Sequence, residues 1–378
     1  MAGIKSSKLV VGGGRAKECG ILRGTDRTQH QPKLAVTNLK LRKGFATSSK
    51  AEMRREQTFP ATMKAAAIDR FGPPSVLKLH TLPMKKPGAG EVLIALHSAG
   101  VGVWDESVRD GSWRPYGRPK FPLVPGTDGA GVVTAVGARV RRFAIGDRVY
   151  AVKYAGGFYA EAVVVETENV ARVPSRLDLL SAGAAPVPGL TALQGIDKHL
   201  RVRRGESVLI FGATGSVGTH AVQFAKRLHA RVLATASGRK ASALIRRLGA
   251  DGVFDPRRPD APEQLEELAR GGIDCVLALT GGDVLEKCID LVRPGGRVAY
   301  PNGVEPVPRR RSKIRLVSYD AEAGPREFQE LERAVNEARL RVPIAAVYPL
   351  AQAAKAHQRL QQGHILGRIV LRIRRGRK

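Results

Sequence analysis

The chain has 378 residues, of which 43% are hydrophobic, and its 63 Lys/Arg against 34 Asp/Glu give a net charge of +29. This length and apolar content allow two domains with substantial cores, and the lack of any run of about 18 apolar residues predicts no membrane span. The three cysteines, Cys19, Cys275 and Cys288, are too few and too scattered for a disulfide framework or a zinc cluster, which favours a reducing compartment.

Residues 1–62 differ from the rest of the chain. They hold 13 Lys/Arg and 4 Asp/Glu, show poor hydrophobic periodicity, and predict a basic, disordered extension. The basic, serine-rich stretch 42–49 resembles the end of a mitochondrial transit peptide, although no long amphipathic helix precedes it. A transit peptide, a tail and a misplaced start before Met63 all remain open. Because no apolar secretory core is present, we expect a cytoplasmic protein.

From Met63 onward the pattern predicts a β-rich region. Short runs of β-branched and apolar residues alternate with Gly and Pro, as in domains built from many short strands. Helical patterns take over after Pro174. The predicted strands cover residues 63–69, 91–99, 131–137, 147–152 and 160–165.

A glycine motif follows the apolar run at residues 208–211. Gly212, Gly215 and Gly218 are spaced three apart and lead into a helical pattern, which predicts a strand, a tight turn and a helix. Such glycines permit an unusual backbone conformation, close approach to a ligand and close helix packing. The N-terminus of the helix suits a pyrophosphate. A second strand at 231–236 completes the βαβ unit of a dinucleotide site.

The end of that second strand indicates which dinucleotide is bound. Sites for NAD usually present an acid there, whereas this chain has Ser237, Gly238, Arg239 and Lys240. A hydroxyl and two cations favour the 2′-phosphate of NADP(H). The alternative is that both cations are simply solvated at a helix start.

Two basic runs, 309–313 and 372–378, raise the question of nucleic acid. Neither contains the aromatic residues on which bases stack, so solvated charge is favoured and a nucleic-acid partner is not expected.

Motifs spread from Met63 to Ile373 resemble the medium-chain dehydrogenase/reductase superfamily, and most of all its zinc-free quinone oxidoreductase branch. The motifs occur in the same order along the chain. They are residues 63–65, 98–101, 125–131, 146–149, the glycine triplet, 248–251, 293–297, 349–350, 356–357 and 367–371.

The resemblance implies an α/β architecture of two domains. A GroES-like β-rich catalytic domain, residues 63–187 and 326–378, would be interrupted by a Rossmann NADP-binding domain with a doubly wound parallel sheet, residues 188–325. The cofactor would lie in the cleft between them, at the carboxyl ends of the parallel strands. Relatives commonly form homodimers through edge strands of the Rossmann sheet, which implies a homodimer here.

Zinc-dependent members of the superfamily place a cysteine just before the Asp105 position and a His-Glu pair where this chain has Thr127 and Asp128. Those ligands are missing, and three cysteines cannot build the four-cysteine structural lobe. We therefore expect no metal.

Without a Lewis acid, the expected reaction is hydride transfer from NADPH to an electron-poor acceptor, a quinone or an α,β-unsaturated carbonyl. Two alternatives stay open: a zinc-type alcohol dehydrogenase, and an NADPH-binding protein with a nucleic-acid-binding role. The sequence does not identify the physiological acceptor.

The resemblance also implies site residues. Thr191 would lie near the nicotinamide, with a helix cap as the alternative, and Trp113 falls where relatives carry a tyrosine beside the cofactor. Catalytic candidates are Tyr116, Asp105 and Arg109, the last two with a helical ion pair as the alternative; the proton donor, a phenol or water, stays open. The expected cofactor-binding residues are Trp113, Thr191, Gly212, Thr214, Gly215, Ser216, Val217, Gly218, Ser237, Arg239, Lys240, Thr280, Gly281, Tyr300, Asn302 and Gly303.

Overall fold

A computed structural model describes residues 60–112 and 119–374, all within one structural unit, residues 57–378. The predicted extension up to residue 59, Trp113 and Tyr116 lie outside the described residues. Within the described ranges, no helix combines the length and apolarity needed to cross a bilayer.

The described residues form the following strands and helices. The strands are β1 Thr62–Ala67, β2 Lys78–Pro83, β3 Glu91–Val101, β4 Asp128–Val136, β5 Arg148–Val152, β6 Ala162–Glu166, β7 Val170–Arg172, β8 Ser207–Phe211, β9 Arg231–Thr235, β10 Gly252–Phe254, β11 Ile273–Ala278, β12 Val292–Pro301, β13 Arg315–Tyr319, β14 Ile344–Pro349 and β15 Arg368–Arg372. The helices are α1 Val103–Asp110, α2 Leu179–Ala182, α3 Pro186–Leu193, α4 Ser216–Arg227, α5 Arg239–Arg247, α6 Ala261–Ala269, α7 Asp283–Asp290, α8 Pro325–Glu337 and α9 Ala353–Gln361.

The first large sheet is mainly antiparallel and contains strands from both ends of the chain. Its order is β14-β15-β3-β4-β5-β7, with β6 also paired to β3, and only β14 and β15 run parallel. Strands β1 and β2 form a separate antiparallel pair. The five strands expected before Pro174 are confirmed as β1, β3, β4, β5 and β6. This sheet is the GroES-like part of the molecule.

The second sheet is parallel throughout, in the order β10-β9-β8-β11-β12-β13. Every residue of β8 is buried, as expected for a strand covered by helices on both faces. Strands β8 and β11 are adjacent in space although α4, β9, α5, β10 and α6 separate them in sequence. The strand order reverses there, and ligands bind at such switch points beyond the carboxyl ends of the strands. The predicted Rossmann-type sheet is confirmed, while the residue boundaries of the domains stay a prediction.

One hydrophobic core connects the two sheets. It joins Tyr150 and Val152 of β5 to Leu190 of α3 and to Val208 and Ile210 of β8. A backbone hydrogen bond also crosses between the sheets, because the Gly367 N–H, just before β15, donates to the Thr214 carbonyl in the glycine turn at 2.8 Å. The start of β15 therefore lies directly against the predicted dinucleotide site.

Candidate active site

The glycine motif forms the turn that the sequence predicts. Gly212 follows β8 with a φ of +89°, and α4 begins at Ser216, immediately after Gly215. The Gly212 N–H donates to the Thr235 hydroxyl of β9 at 2.8 Å, so the turn is anchored to the neighbouring strand. Ser216, Val217 and Gly218 make up the first turn of α4, where backbone N–H groups have no partner within the helix. These N–H groups are the natural partners of a pyrophosphate.

The surroundings of the three glycines fit a phosphate group bound against the turn. Among residues 60–112 and 119–374, a Cβ at Gly215 would meet only the Gly212 carbonyl oxygen, at 3.8 Å, so these residues leave open space in front of it. At Gly218 a Cβ would come within 2.4 Å of that same oxygen and 2.5 Å of the Ala213 Cα. The glycine at 218 thus serves packing, and the glycine at 215 leaves room for a ligand.

A cavity of about 140 Å³ opens between the glycine turn and the ends of β9 and β11. Thr214 and Thr280 line it from the turn and from the segment after β11, and Ser237 lines it from the segment after β9. His364 and Leu366, which precede β15, close it from the other side. The position after β9 is where the adenosine of a bound dinucleotide lies in this fold.

A second cavity, of about 360 Å³, adjoins the first and is lined by three cationic side chains. Arg239 and Lys240 line it from the first turn of α5, and Arg257 joins them from the segment after β10. We call Arg239, Lys240 and Arg257 the cation cluster; all three are exposed. The sequence pattern did not reveal Arg257, because it lies 17 residues beyond Lys240 and follows a different strand.

The sequence shows no acid at the end of β9, but the fold brings one there from the neighbouring strand. Asp255, just after β10, accepts a hydrogen bond from the Ser237 hydroxyl at 2.5 Å and one from the Arg257 backbone N–H at 3.0 Å. The Arg257 Nε also lies 3.4 Å from Asp255 Oδ1, so the carboxylate is paired with one member of the cation cluster, while all three cations remain exposed.

The predicted nicotinamide end contains residues from several elements. Thr191 lies inside α3, where its hydroxyl donates to the Val187 carbonyl at 2.8 Å, so the helix-cap alternative is wrong. Gly281 lies after β11, where a Cβ would come 2.1 Å from the Pro306 carbonyl oxygen. The space there has no room for a larger residue.

The end of β12 supplies the other predicted residues of this region. Tyr300 is still inside the strand rather than beyond it, pairing with Ser318 of β13. Asn302 donates from its side-chain amide to Asp320 at 2.8 Å. Gly303 has a φ of +90°, and a Cβ there would lie 3.5 Å from the Trp104 ring. The first turn of α1 therefore reaches across to the parallel sheet.

A buried ion pair holds this region together. Arg368 of β15 contacts Asp128 of β4 at 2.7 Å, with side-chain exposures of 5% and 0%. The other oxygen of Asp128 accepts the Val187 N–H at the start of α3, at 2.9 Å. Arg368 also follows Gly367, which bonds the glycine turn. The Asp128 carboxylate thereby joins β4 to β15 and to the start of α3, and β15 is bonded in turn to the glycine turn through Gly367.

Asp105 and Arg109 do not form the helical ion pair that their spacing suggests. Tyr159 donates its hydroxyl to Asp105 Oδ2 at 3.1 Å, and that oxygen also accepts the Gly102 N–H at 2.9 Å. Arg109 instead contacts His357 Nδ1 at 3.0 Å. A further contact of 3.1 Å joins His357 Nε2 to the Tyr159 oxygen. We call Asp105, Arg109, Tyr159 and His357 the Asp105 ring.

The four members of the Asp105 ring are buried, with exposures of 0% or 1%. Burial raises the pKa of Asp105 to about 6, against the opposing effect of the nearby Arg368 charge. Burial also lowers the pKa of His357 to about 3, and the Arg109 charge lowers it further. His357 is therefore neutral at physiological pH, and the pKa of Asp105 lies about one unit below physiological pH. The sequence offered no signal for Tyr159.

The donor set at the expected zinc position does not suit a metal. Both oxygens of Asp128 already accept protein hydrogen bonds, and Thr127 beside it is buried. Across residues 60–112 and 119–374, no group of three or more His, Cys, Asp or Glu side chains is arranged to hold an ion. The two cysteines in these ranges, Cys275 and Cys288, are free and buried. A zinc-free site stays a prediction.

Two known protein families match this chain, one in each half of the described residues. Residues 88–175 match the family "Alcohol dehydrogenase GroES-like domain". Residues 248–371 match the family "Zinc-binding dehydrogenase". The first range covers strands of the antiparallel sheet, and the second covers β10 to β13 of the parallel sheet together with β14 and most of β15.

Individual proteins show the same likeness over most of the chain. A quinone oxidoreductase from Sus scrofa is 33% identical over 309 residues, which are 78% of this chain and 93% of the relative. Among solved structures, an NAD-dependent alcohol dehydrogenase is 32% identical with a TM-score of 0.77, covering 82% of this chain and 100% of the other. A mycobacterial protein complexed with NADPH is 28% identical with a TM-score of 0.73 and the same coverages. The chain is therefore an oxidoreductase that belongs to the medium-chain dehydrogenase/reductase superfamily, in its quinone oxidoreductase branch.

Proposed function

We propose that this protein is an NADP(H)-dependent, metal-free enzyme that reduces quinones or α,β-unsaturated carbonyl compounds. The observation that carries the proposal is the cation cluster beside the cavity after β9, in a chain whose relative from Sus scrofa is a quinone oxidoreductase. The glycine turn supports a dinucleotide of either kind. The three exposed cations support one that carries an additional phosphate.

Each part of the proposed cofactor site has a separate role. The first turn of α4 would bind the pyrophosphate through backbone N–H groups and the helix dipole. The cation cluster would bind the 2′-phosphate, and Thr280, Asn302 and Gly303 would border the ribose and nicotinamide. When bound, the reduced nicotinamide supplies a hydride to the acceptor. The protein has to hold both partners in line and exclude water.

The acceptor would lie between the first turn of α1 and the strand ends of the parallel sheet. Val103 is 70% exposed there, and Trp104 lies close to Gly303. An apolar wall of this kind suits flat, electron-poor rings and enones. Asp105 and Arg109 have no exposed surface from which to touch an acceptor, so we assign them to positioning. The proton would return from water or from the phenol of Tyr116.

The first experiment is a direct titration of the purified protein with NADPH and with NADH, followed by an acceptor panel. We expect saturable NADPH binding and NADPH oxidation with p-benzoquinone or 2-cyclohexen-1-one, unaffected by EDTA. Failure to bind either nucleotide would refute the proposal. Stoichiometric zinc with alcohol oxidation would instead favour the alternative of a zinc-type alcohol dehydrogenase.

A second experiment tests the 2′-phosphate assignment. The double variant Arg239→Ala and Lys240→Ala removes two charge-assisted contacts, so we expect the KM for NADPH to rise about 10- to 100-fold while that for NADH stays within about twofold. The matched control is Arg246→Ala with Arg247→Ala, which removes the same charge from the other end of α5. Equal effects on both nucleotides would reject the NADP(H) preference.

Two further expectations stay predictions. A homodimer through the edge of the parallel sheet would use β13, which has a single neighbour in the described sheet. Light scattering after size-exclusion chromatography measures the mass in solution. The cytoplasmic location is tested by fusing a fluorescent protein to the C-terminus, with and without residues 1–62.

A further inference from the structure

The Asp105 ring attaches one helix at two points. Asp105 lies in the first turn of α1 and Arg109 in its last turn, so the two residues bracket the helix. His357 belongs to α9, and Tyr159 lies just before β6. Three hydrogen bonds run from Arg109 to His357, from His357 to Tyr159 and from Tyr159 to Asp105. Because Arg109 and Asp105 both belong to α1, these bonds and the helix together form a closed circuit.

Every hydrogen bond in this circuit has a defined direction. Arginine donates only, so His357 Nδ1 accepts from Arg109 and the imidazole proton is on Nε2. Nε2–H must then donate to the Tyr159 oxygen, and the Tyr159 hydroxyl proton points to Asp105 Oδ2. Asp105 is therefore the acceptor at the end of the circuit. Its charged form binds these donors more strongly than its neutral form.

The helix held in this way forms one wall of the proposed acceptor pocket. Asp105 Oδ2 accepts the Gly102 N–H at 2.9 Å, which fixes the backbone immediately before Val103 and Trp104. At the other end, Arg109 Nε donates to the Gly72 carbonyl at 2.9 Å. A change in the Asp105 ring would therefore move Val103 and Trp104 relative to the parallel sheet.

We propose that the Asp105 ring is a positioning device for the acceptor pocket, and that it holds α1 in the working position when Asp105 is ionised. This inference rests on the proposed reduction of an acceptor between α1 and the parallel sheet. None of the four residues is a catalytic residue, because each acts on the acceptor only through α1.

Protonation of Asp105 weakens the ring for a geometric reason. Oδ2 already accepts two hydrogen bonds, so the added proton goes to Oδ1, which is buried and has no partner in the described structure. The charged groups that face Asp105 are Arg368 from β15 and Asp128 from β4, with Tyr159 as the hydroxyl partner. Because Arg368 also pairs with Asp128, its charge is shared between two carboxylates.

The first test compares two buried tyrosines. Tyr159→Phe removes the link between His357 and Asp105, and Tyr150→Phe removes a buried hydroxyl that has no hydrogen-bond partner among the described residues. We expect Tyr159→Phe to raise the KM for the quinone about tenfold with the KM for NADPH within about twofold, and Tyr150→Phe to change neither. Equal behaviour of the two variants would overturn the proposal.

The second test uses the pH profile, which a purely structural role would not alter. In the wild type, kcat/KM for the quinone should fall as pH drops through about 6, the pKa of Asp105. Asp105→Asn keeps the size of the side chain and cannot ionise, so its kcat/KM should be low and should lack this acid limb. An unchanged limb near pH 6 in Asp105→Asn would overturn the proposal.

A third test is independent of turnover and separates this inference from the proposed function. The chain has two tryptophans, so Trp113→Phe leaves Trp104 as the single emitter. Its fluorescence should change with a midpoint near pH 6, and the change should be absent when Asp105→Asn is added. The same titration in both proteins would refute the positioning role. If the wild type reduces no quinone or enone but the titration behaves as expected, the proposed function fails and the coupling of Asp105 to α1 stands.

Discussion

Charged side chains are exposed in the cation cluster and buried in the Asp105 ring. The members of the cation cluster come from two short segments at the edge of the parallel sheet and face solvent. The members of the ring come from α1, α9 and the segment before β6, and their polar groups bind one another. Exposed charges contribute little to folding and remain available to a ligand, whereas buried charges must be satisfied within the protein. Changes in the first region should therefore alter ligand affinity, and changes in the second should alter stability.

The largest expected effect comes from breaking the buried ion pair next to the ring. Arg368→Met leaves the Asp128 carboxylate buried without its cation, so the free energy of unfolding should fall by about 3–5 kcal/mol. Chemical denaturation at pH 7.5 measures this change. Arg326→Met is the control, because Arg326 and its partner Glu330 are 83% and 44% exposed, and it should cost at most about 0.5 kcal/mol. Similar losses in both variants would contradict the contrast between buried and exposed charge.

The ionisation of Asp105 should reduce stability at neutral pH. Burial raises its pKa from 3.8 to about 6, so the native state holds a proton that the unfolded state has released. The contribution of Asp105 to the free energy of unfolding is therefore most favourable below pH 3.8, where both states hold the proton. It is lost as the pH rises through about 6, where the buried carboxyl group ionises. Asp105→Asn should therefore raise the free energy of unfolding by about 2–3 kcal/mol at pH 7.5 and by much less at pH 4. Urea denaturation at both pH values checks this.

Glu267→Gln, an exposed change of the same charge, serves as the control and should show no such difference between the two pH values. A loss of stability in Asp105→Asn at pH 7.5 would contradict the prediction. A gain of stability together with weaker quinone reduction would be a trade-off between stability and positioning.

Two substitutions in the glycine turn should separate an effect on stability from an effect on nucleotide binding. Gly218→Ala places a Cβ against backbone atoms of residues 212 and 213 and should cost about 1–3 kcal/mol of stability. Gly215→Ala places its Cβ in the open space and should leave stability unchanged while weakening nucleotide binding. Thermal unfolding and NADPH titration measure the two effects. Gly90→Ala, where a Cβ meets nothing within 4 Å, is the control. Comparable stabilities of the 215 and 218 variants would refute the assignment of separate roles.

The smallest expected effect concerns the acid that the fold brings to the cation cluster. Asp255→Asn removes a negative charge beside Ser237 and Arg257 while keeping an acceptor for both. We expect the KM for NADPH to fall about threefold and that for NADH to remain within error, because an exposed charge interacts weakly across solvent. Steady-state kinetics at two salt concentrations measures this, since a charge effect should shrink at high salt. A rise in the KM for NADPH would indicate that Asp255 helps to orient Ser237.

The glycine turn and the position of Arg239 and Lys240 could be predicted because each depends on a short stretch of sequence. Gly212, Gly215 and Gly218 lie within seven residues, and Arg239 and Lys240 directly follow the next strand. Their positions depend on one strand-turn-helix unit, which sequence patterns describe well. The sequence pattern did not indicate Asp255 and Arg257, which follow a different strand. Only the pairing of β9 with β10 brings them close to Ser237 and Arg239.

The Asp105 ring could not be predicted in the same way. The spacing of Asp105 and Arg109 suggested a pair on one helix face, but their partners lie 54 and 248 positions away. Hydrophobic periodicity carries no information about which polar groups meet across such distances. His357 and Arg368 lie in stretches that support the family resemblance, yet their roles follow only from contacts that form when β15 pairs with β3 and β14 pairs with β15.

The sequence alone predicted the glycine turn, and its motifs carried the resemblance that implies the superfamily and its two sheets, because each motif consists of residues that are neighbours along the chain. The tertiary structure alone decided which charges are buried, which carboxylate lies beside the cation cluster and how α1 is held. These properties arise when distant segments are packed together and water is removed from between them, and no local pattern of residues encodes that step.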